Sequence, residues 1–241
     1  MLDINDKTVA EIVSQDYRTA DAFKKNGIDF CCGGKVTLKE VCENKNISYE
    51  KLKADIETST TRREEKHDFN HWPLDQLTDY ISEKHHRYVR ENIPIITQYA
   101  EKVTLVHGNG SPETVEIKDI FKALSQELLL HMHKEESILF PYIKKLSAMR
   151  RGEIPFTPPP FGSIQNPIRM MEIEHELAGD NERRIKELSN SYEPPAHACN
   201  TFRVLYAKLH EFESDLHKHI HLENNILFPR AIKLETKLTR N

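Results

Sequence analysis

The chain has 241 residues, 38% of them hydrophobic and 30% charged, and its formal net charge is −4. That balance gives no basic footprint for nucleic acid or an anionic membrane surface, and no apolar run approaches the ~20 residues of a membrane span. Gly is scarce, at 8 residues, and alternating β-branched runs are missing, so the composition predicts an all-α protein. Four cysteines, two of them adjacent, make no disulfide framework and point to a reducing cytoplasm. The start, "MLDINDKTVAEIV", has neither the basic nor the apolar region of a secretory signal.

In chain order, residues 1–57 predict a small helical domain. "TVAEIVSQDY" and "RTADAFKKNG" are short helical patterns, the second stopped by Gly27. A glycine turn carrying Cys31, Cys32, Gly33 and Gly34 follows. Thr37 then offers a helix cap with Glu40 three residues on, the spacing of a capping box. Ser48 is a candidate cap for the next helix. Residues 58–72, "TSTTRREEKHDFNHW", lack an apolar stripe and read as a linker. Residues 73–241 hold four long helical patterns at roughly 73–105, 114–148, 165–190 and 196–235, separated by "HGNGSPE" and "RRGEIPFTPPPFGSIQNP". Four helices of that length predict an antiparallel four-helix bundle.

Two stretches of the second and fourth patterns repeat each other. "LHMHKEESILFPYIKKL" from Leu130 aligns with "KHIHLENNILFPRAIKL" from Lys218 at a constant offset of 88 residues, pairing His131 with His219 and Glu135 with Glu223. A helix turns about 100° per residue, so residues four apart share a face and residues two apart oppose each other. His131 and Glu135 therefore continue the apolar stripe Phe121, Leu124, Leu128 and lead on to Ile138 and Tyr142. His219 and Glu223 continue Phe212 and Leu216 and lead to Ile226. The third pattern places His175 in the stripe Ile168, Met171, Ala178, Glu182, Ile185. In the first, His85 continues the upstream stripe Leu77–Ile81 and His86 the downstream stripe Val89–Ile93–Ile96, and periodicity leaves the two open.

Polar pairs on a core-facing stripe must be neutralised, hydrogen-bonded or bound to metal. One histidine from each helix, with Glu135 and Glu223, suits two metal ions that each take two imidazoles and share both carboxylates, leaving an open position. Nitrogen and oxygen ligands without thiolate fit iron, manganese or zinc. The His-x-x-x-Glu spacing differs from the Glu-x-x-His of di-iron carboxylate bundles. His133 and His221 are read as solvent-facing or as supporting the ligands from behind. Tyr88, Tyr142 and Glu83 are candidates to line the site, and "ILFP" is expected to plug the interior, with Pro141 and Pro229 bending their helices.

Together, "DFCCGGK", "HHRYVRENIP", "HMHKEESILFP", "IEHELAG" and "HIHLENNILFP" resemble the Repair of Iron Centres family along essentially the whole chain. The resemblance implies a cysteine-bearing N-terminal domain, a hemerythrin-like bundle and two non-haem iron ions, oxo- and carboxylate-bridged. It implies as ligands His86, His131, His175 and His219, with Glu135 and Glu223 as bridges; the spacing to Pro94 selects His86 over His85. It further implies repair of iron–sulfur proteins damaged by nitric oxide or peroxide, in the cytoplasm, with nitric oxide or O2 as small ligand. Two rivals are a redox enzyme reducing nitric oxide or O2 and a diatomic-gas sensor or store. A homodimer is left open.

Cys31 and Cys32 are too close for Cys-x-x-Cys chelation, and a bond between neighbours is strained. On a turn before a helix N-terminus a thiolate is favoured, so the expectation is a pair of redox or transfer thiols; the alternative is two small buried apolar residues. Cys42 and Cys199 read as ordinary cysteines.

Overall fold

The computed structural model describes residues 6–30, 33–60 and 68–240. Cys31, Cys32 and residues 61–67 of the expected linker lie outside the described residues. The protein is all-α: the described residues contain no strand, only one antiparallel bridge between Thr8 and Thr37. No described helix is long and apolar enough to cross a membrane. The chain divides into two compact units, Met1–Leu77 with His217–Asn241, and Thr78–Leu216.

The first unit begins with four helices, α1 (Val9–Gln15), α2 (Ala20–Lys25), α3 (Leu38–Lys45) and α4 (Tyr49–Thr60). Capping boxes start α1 and α3. The Glu11 backbone N–H donates to Thr8 Oγ1 at 3.2 Å while Thr8 N–H donates to Glu11 at 2.8 Å; Thr37 and Glu40 repeat both distances. Each box satisfies amides that have no partner inside the helix. Gly27 ends α2 at φ +64°, a conformation that favours glycine. Val9, Val13, Phe23, Leu38 and Leu52 form a fully buried core. The C-terminal part of this unit holds the end of a long helix and then α11 (Phe228–Thr239), where Arg230 donates to the carbonyls of Phe69 and Trp72 at 3.0 and 2.6 Å.

From Leu74 to Leu222 the chain forms α5 (Leu74–Tyr80), α6 (Arg87–His107), α7 (Glu113–Lys134), α8 (Phe140–Arg150), α9 (Gln165–Leu188) and α10 (Asn200–Leu222). In the second unit α7 packs between α6 and α9. α10 adds Phe212, whose ring meets those of Tyr88 on α6 and Phe121 on α7. The four long patterns read from the sequence thus form helices within a few residues of their expected ends.

Three π-helical turns interrupt them, at Ile81–His86, Glu135–Leu139 and Glu223–Leu227. Such a turn bonds i to i+5 and inserts a residue, which rotates everything downstream relative to α-helical register. Its effect explains the two stripes of the first helix: His85 and His86 are both buried, at 3% and 0% exposure. The inserted residue also turns Ile138 outward, to 50% exposure, and brings Leu139 in at 1%, correcting the stripe that placed Ile138 inside. Pro141 and Pro229 each follow a π turn at the start of the next helix. The irregularity expected at these prolines therefore lies just upstream of them, where a missing N–H costs least.

Candidate metal centre

In the unit Thr78–Leu216, three helices deliver side chains to one buried point. The first π turn supplies His86, α7 and its π turn supply His131 and Glu135, and α9 supplies His175; their exposures are 0%, 3%, 0% and 1%. Glu135 Oε2 lies 3.4 Å from Nε2 of His86 and 3.4 Å from Nε2 of His131. Nε2 of His131 and His175 stand 3.0 Å apart, with ring centroids at 4.7 Å. His131, Glu135 and His175 each offer a ligand atom within 4.8 Å of the others.

The far sides of two of these rings fix what the near sides present. His86 Nδ1 lies 2.7 Å from Glu136 Oε1, and His131 Nδ1 lies 2.8 Å from Glu174 Oε2. A carboxylate only accepts, so each Nδ1 carries the proton and donates. Each ring then turns Nε2 toward Glu135, at 3.4 Å. A buried carboxylate facing two imidazole nitrogens at 3.4 Å is compensated by a proton on the rings or by a metal ion among them, and a carboxylate behind a histidine is the arrangement that orients a metal ligand. The donor set, imidazole nitrogen and carboxylate oxygen, fits iron as well as manganese or zinc.

These bracing carboxylates are themselves held. Arg90 Nη2 donates to Glu136 at 2.7 Å, and Lys134 donates to Glu174. Burial pushes the Glu136 carboxyl up, but the hydrogen bonds from Arg90 and His86 outweigh it and leave it lowered. The hydrogen bond from His131, against burial and with help from Lys134, lowers Glu174 to about 2. Both stay anionic at neutral pH. His86 also stacks on Phe140, centroids 5.5 Å apart. A cleft of about 250 Å³ is lined by His131 and His175 together with Leu128, Leu130, Leu177 and Ala178, and by Lys134 and Glu174.

His85 takes another partner, donating Nδ1–H to the carboxylate of Asp215 at 3.1 Å, with the Tyr80 ring beside it. Tyr88 lies near Phe212; burial, with Asp215 and Glu211 nearby, pushes its hydroxyl up to about 12. Tyr142 packs on Phe161, and Glu83 is exposed. None of these side chains is among the groups that gather around Glu135.

In the unit formed by residues 1–77 and 217–241, His219 Nε2 lies 3.1 Å from Glu223 Oε1, and both side chains are buried, at 1% and 0% exposure. The stripe reading of this pair holds. His221, read as solvent-facing or supporting, is fully buried: Nδ1–H donates to the Phe30 carbonyl and the Ser14 hydroxyl donates to Nε2, both at 3.3 Å. Burial, only partly offset by Phe30, pushes its pKa down to about 4. Asn225 also reaches the Phe30 carbonyl, which immediately precedes Cys31. At Gly34, beyond the two cysteines, a Cβ would sit 2.6 Å from that same carbonyl and 3.0 Å from Ala10 Cβ, so only glycine fits.

Periodicity found the stripe residues but missed Glu136 and Glu174. Each adjoins a stripe residue in sequence, Glu136 after Glu135 and Glu174 before His175, so an acidic neighbour at the edge of a polar core position was the available signal.

Comparison with known proteins accords with this geometry. The Hemerythrin HHE cation binding domain family matches residues 78–231, and the Domain of Unknown function (DUF542) family matches residues 5–60. The chain is 36% identical over 235 residues, 97% of its length and 100% of theirs, to the iron–sulfur cluster repair proteins YtfE of Yersinia pseudotuberculosis and Yersinia pestis. A π turn at each polar stretch of α7 and α10, braced imidazoles around a shared carboxylate and likeness along nearly the whole chain have one common explanation: the chain belongs to the Repair of Iron Centres family of hemerythrin-like proteins.

Proposed function

We propose that this protein repairs iron–sulfur clusters damaged by nitrosative or oxidative stress, supplying iron from a di-iron centre held by His86, His131, His175, His219, Glu135 and Glu223. The observation that carries the reading is the pair of Nε2 atoms turned on buried Glu135, each ring backed by a carboxylate, Glu136 or Glu174. The repeat supports His219 and Glu223 as the matching contribution: the same His-x-x-x-Glu, with a π turn beginning at the glutamate in both copies. The hemerythrin family match includes all six residues.

Two iron ions held by these residues would supply a ferrous/ferric couple and an exchangeable metal. The chain's residues do the rest. Glu136 and Glu174 keep His86 and His131 in the tautomer that offers Nε2 inward. The cleft past Leu130 and Leu177 leaves a route to His131 and His175 for a diatomic ligand such as nitric oxide or O2, or for departing iron, and Glu174 and Lys134 also line it. Cys31 and Cys32 are proposed as the thiols that pass electrons, iron or nitrosyl groups. Iron–sulfur proteins in the cytoplasm are the proposed recipients.

Full-length protein reconstituted with ferrous iron should hold two irons per chain, and Glu135→Ala and Glu223→Ala should each lose at least one. After reduction, iron should appear in an apo-cluster acceptor in competition with a ferrous chelator. Retention of both irons by the reduced protein would overturn donation. Turnover of nitric oxide to nitrous oxide by the diferrous protein would replace it with the redox-enzyme reading.

A further inference from the structure

Far from Glu135 in the sequence, the second unit builds a cysteine–histidine pair. Cys199 is exposed and directly precedes Asn200, the first residue of the 23-residue helix α10. Its Sγ lies 3.2 Å from Nε2 of His107, the last residue of α6. The His107 ring is held by Phe202, with centroids 5.4 Å apart, and faces His197 at 6.4 Å. His197 is fixed in turn by Ser111, whose Oγ lies 3.1 Å from its Nε2. Two chain segments distant in sequence are thus packed to put an imidazole on an open sulfur.

We propose that Cys199 is a site of reversible mixed-disulfide formation with low-molecular-weight disulfides, its thiolate stabilised by His107 and by the first turn of α10. Three donors converge on the sulfur: the backbone N–H groups of Phe202 and Thr201 and the N–H of His107. The Phe202 amide contributes most, His107 next, and against a small burial cost they bring the thiol down to about 7. A large thiolate fraction is then present at neutral pH, and an attacking thiol whose pKa lies near the ambient pH exchanges fastest. In the exchange, the Cys199 thiolate attacks one sulfur of R–S–S–R. A protein–S–S–R bond forms, the original S–S bond breaks, and the second R–S⁻ departs and takes a proton from water. Cys199 is oxidised by the half of the disulfide that is reduced, so no further co-reactant is needed. By contrast Cys42, in the other unit, is buried, and burial pushes its thiol up.

This site is independent of the metal centre, and its test reads a different residue. Full-length protein is mixed with oxidised glutathione across a pH series, quenched by acid and alkylation, and mapped by peptide mass spectrometry, so that each cysteine is followed separately. The Cys199 peptide should gain one glutathione with a rate profile centred near pH 7, while the Cys42 peptide stays unmodified. His107→Gln, checked by helical circular dichroism, should move the midpoint upward and slow the reaction at neutral pH about threefold, because the lost thiolate is partly offset by higher nucleophilicity. Cys199→Ser should abolish the adduct on that peptide. The proposal is overturned if Cys199 reacts with the profile of an ordinary thiol, centred at about 8.5 or above, or if folded His107→Gln keeps both the midpoint and the rate of the parent.

Discussion

The segments from Leu130 and from Lys218 have the same sequence pattern and the same backbone, yet different surroundings. Both place a histidine and a glutamate four apart on a buried face, start a π turn at the glutamate and resume the α-helix one residue before a proline. The outer faces diverge. In the first segment His133, Ser137 and Ile138 are exposed, and among the described residues His133 hydrogen-bonds only with the neighbouring hydroxyl of Ser137, at 3.3 Å. In the second, the equivalent residues His221 and Ile226 are buried, and His221 is bonded to Ser14 of α1 and to the Phe30 carbonyl. Local sequence sets the winding and the inward pair. What packs outside, here the N-terminal helices of the same unit, decides whether the residue two positions on is idle or structural.

The largest effect should come from the inward side, where Glu174 backs His131 of the first segment and Glu136 of that segment backs His86. Glu136→Ala and Glu174→Ala each remove the acceptor that fixes a ring tautomer, which typically costs about 10–100-fold in metal affinity. His133→Ala, on the wet face of the same helix, should leave affinity within about twofold, since exposed positions away from such features are close to neutral. Chelator competition on the full-length protein measures all three. Equal affinity in the parent and both glutamate variants would show that the carboxylates are surface ion pairs without influence on the site.

Much of this was legible in the residues. The stripe rule found His131, Glu135, His175, His219 and Glu223 as buried because a helix keeps its register between irregularities, and the Thr37–Glu40 cap was readable because its chemistry is local. Where a π turn breaks register, the rule fails in a specific way: it split the first helix between His85 and His86 and sent Ile138 inward. Two stripes out of phase by one residue, meeting at adjacent histidines, were themselves the mark of the inserted residue. His221 and Cys199 were illegible for another reason, since their partners lie 191 and 92 residues away in the chain, at Phe30 and His107. No window on the sequence contains both members of such a pair.

The outer face offers the next effect. His221→Leu leaves the Phe30 carbonyl and the Ser14 hydroxyl without their ring partner in a buried setting, and should lower global stability by about 1–2 kcal/mol. His133→Ala should change it by less than about 0.5 kcal/mol. Urea unfolding of the two variants beside the parent makes the comparison direct. Equal, small shifts for both would mean that covering the second segment contributes nothing and that the two copies differ only in exposure.

The smallest effect tests the covering helices themselves. Glu11 and Glu40 accept hydrogen bonds from the backbone and side chains of Thr8 and Thr37, and each carboxyl is held below its ordinary value by those bonds, the backbone one first. The folded state therefore binds these protons less tightly than the unfolded state. The contribution is complete above the unfolded value near 4.5 and is lost as pH falls through the lowered folded values. Glu11→Gln with Glu40→Gln keeps an acceptor in each box but removes the titration, so stability of the double variant should fall less steeply than that of the parent between roughly pH 5 and pH 3. Because both carboxylates face solvent, the difference in slope should be slight in global unfolding and clearer in hydrogen exchange of the first-turn amides of α1 and α3. α1 carries Ser14 at its other end, so if loosening its first turn also speeds exchange near Ser14, the cap, the helix and the cover over His221 act as one unit; exchange confined to the first turn would separate them.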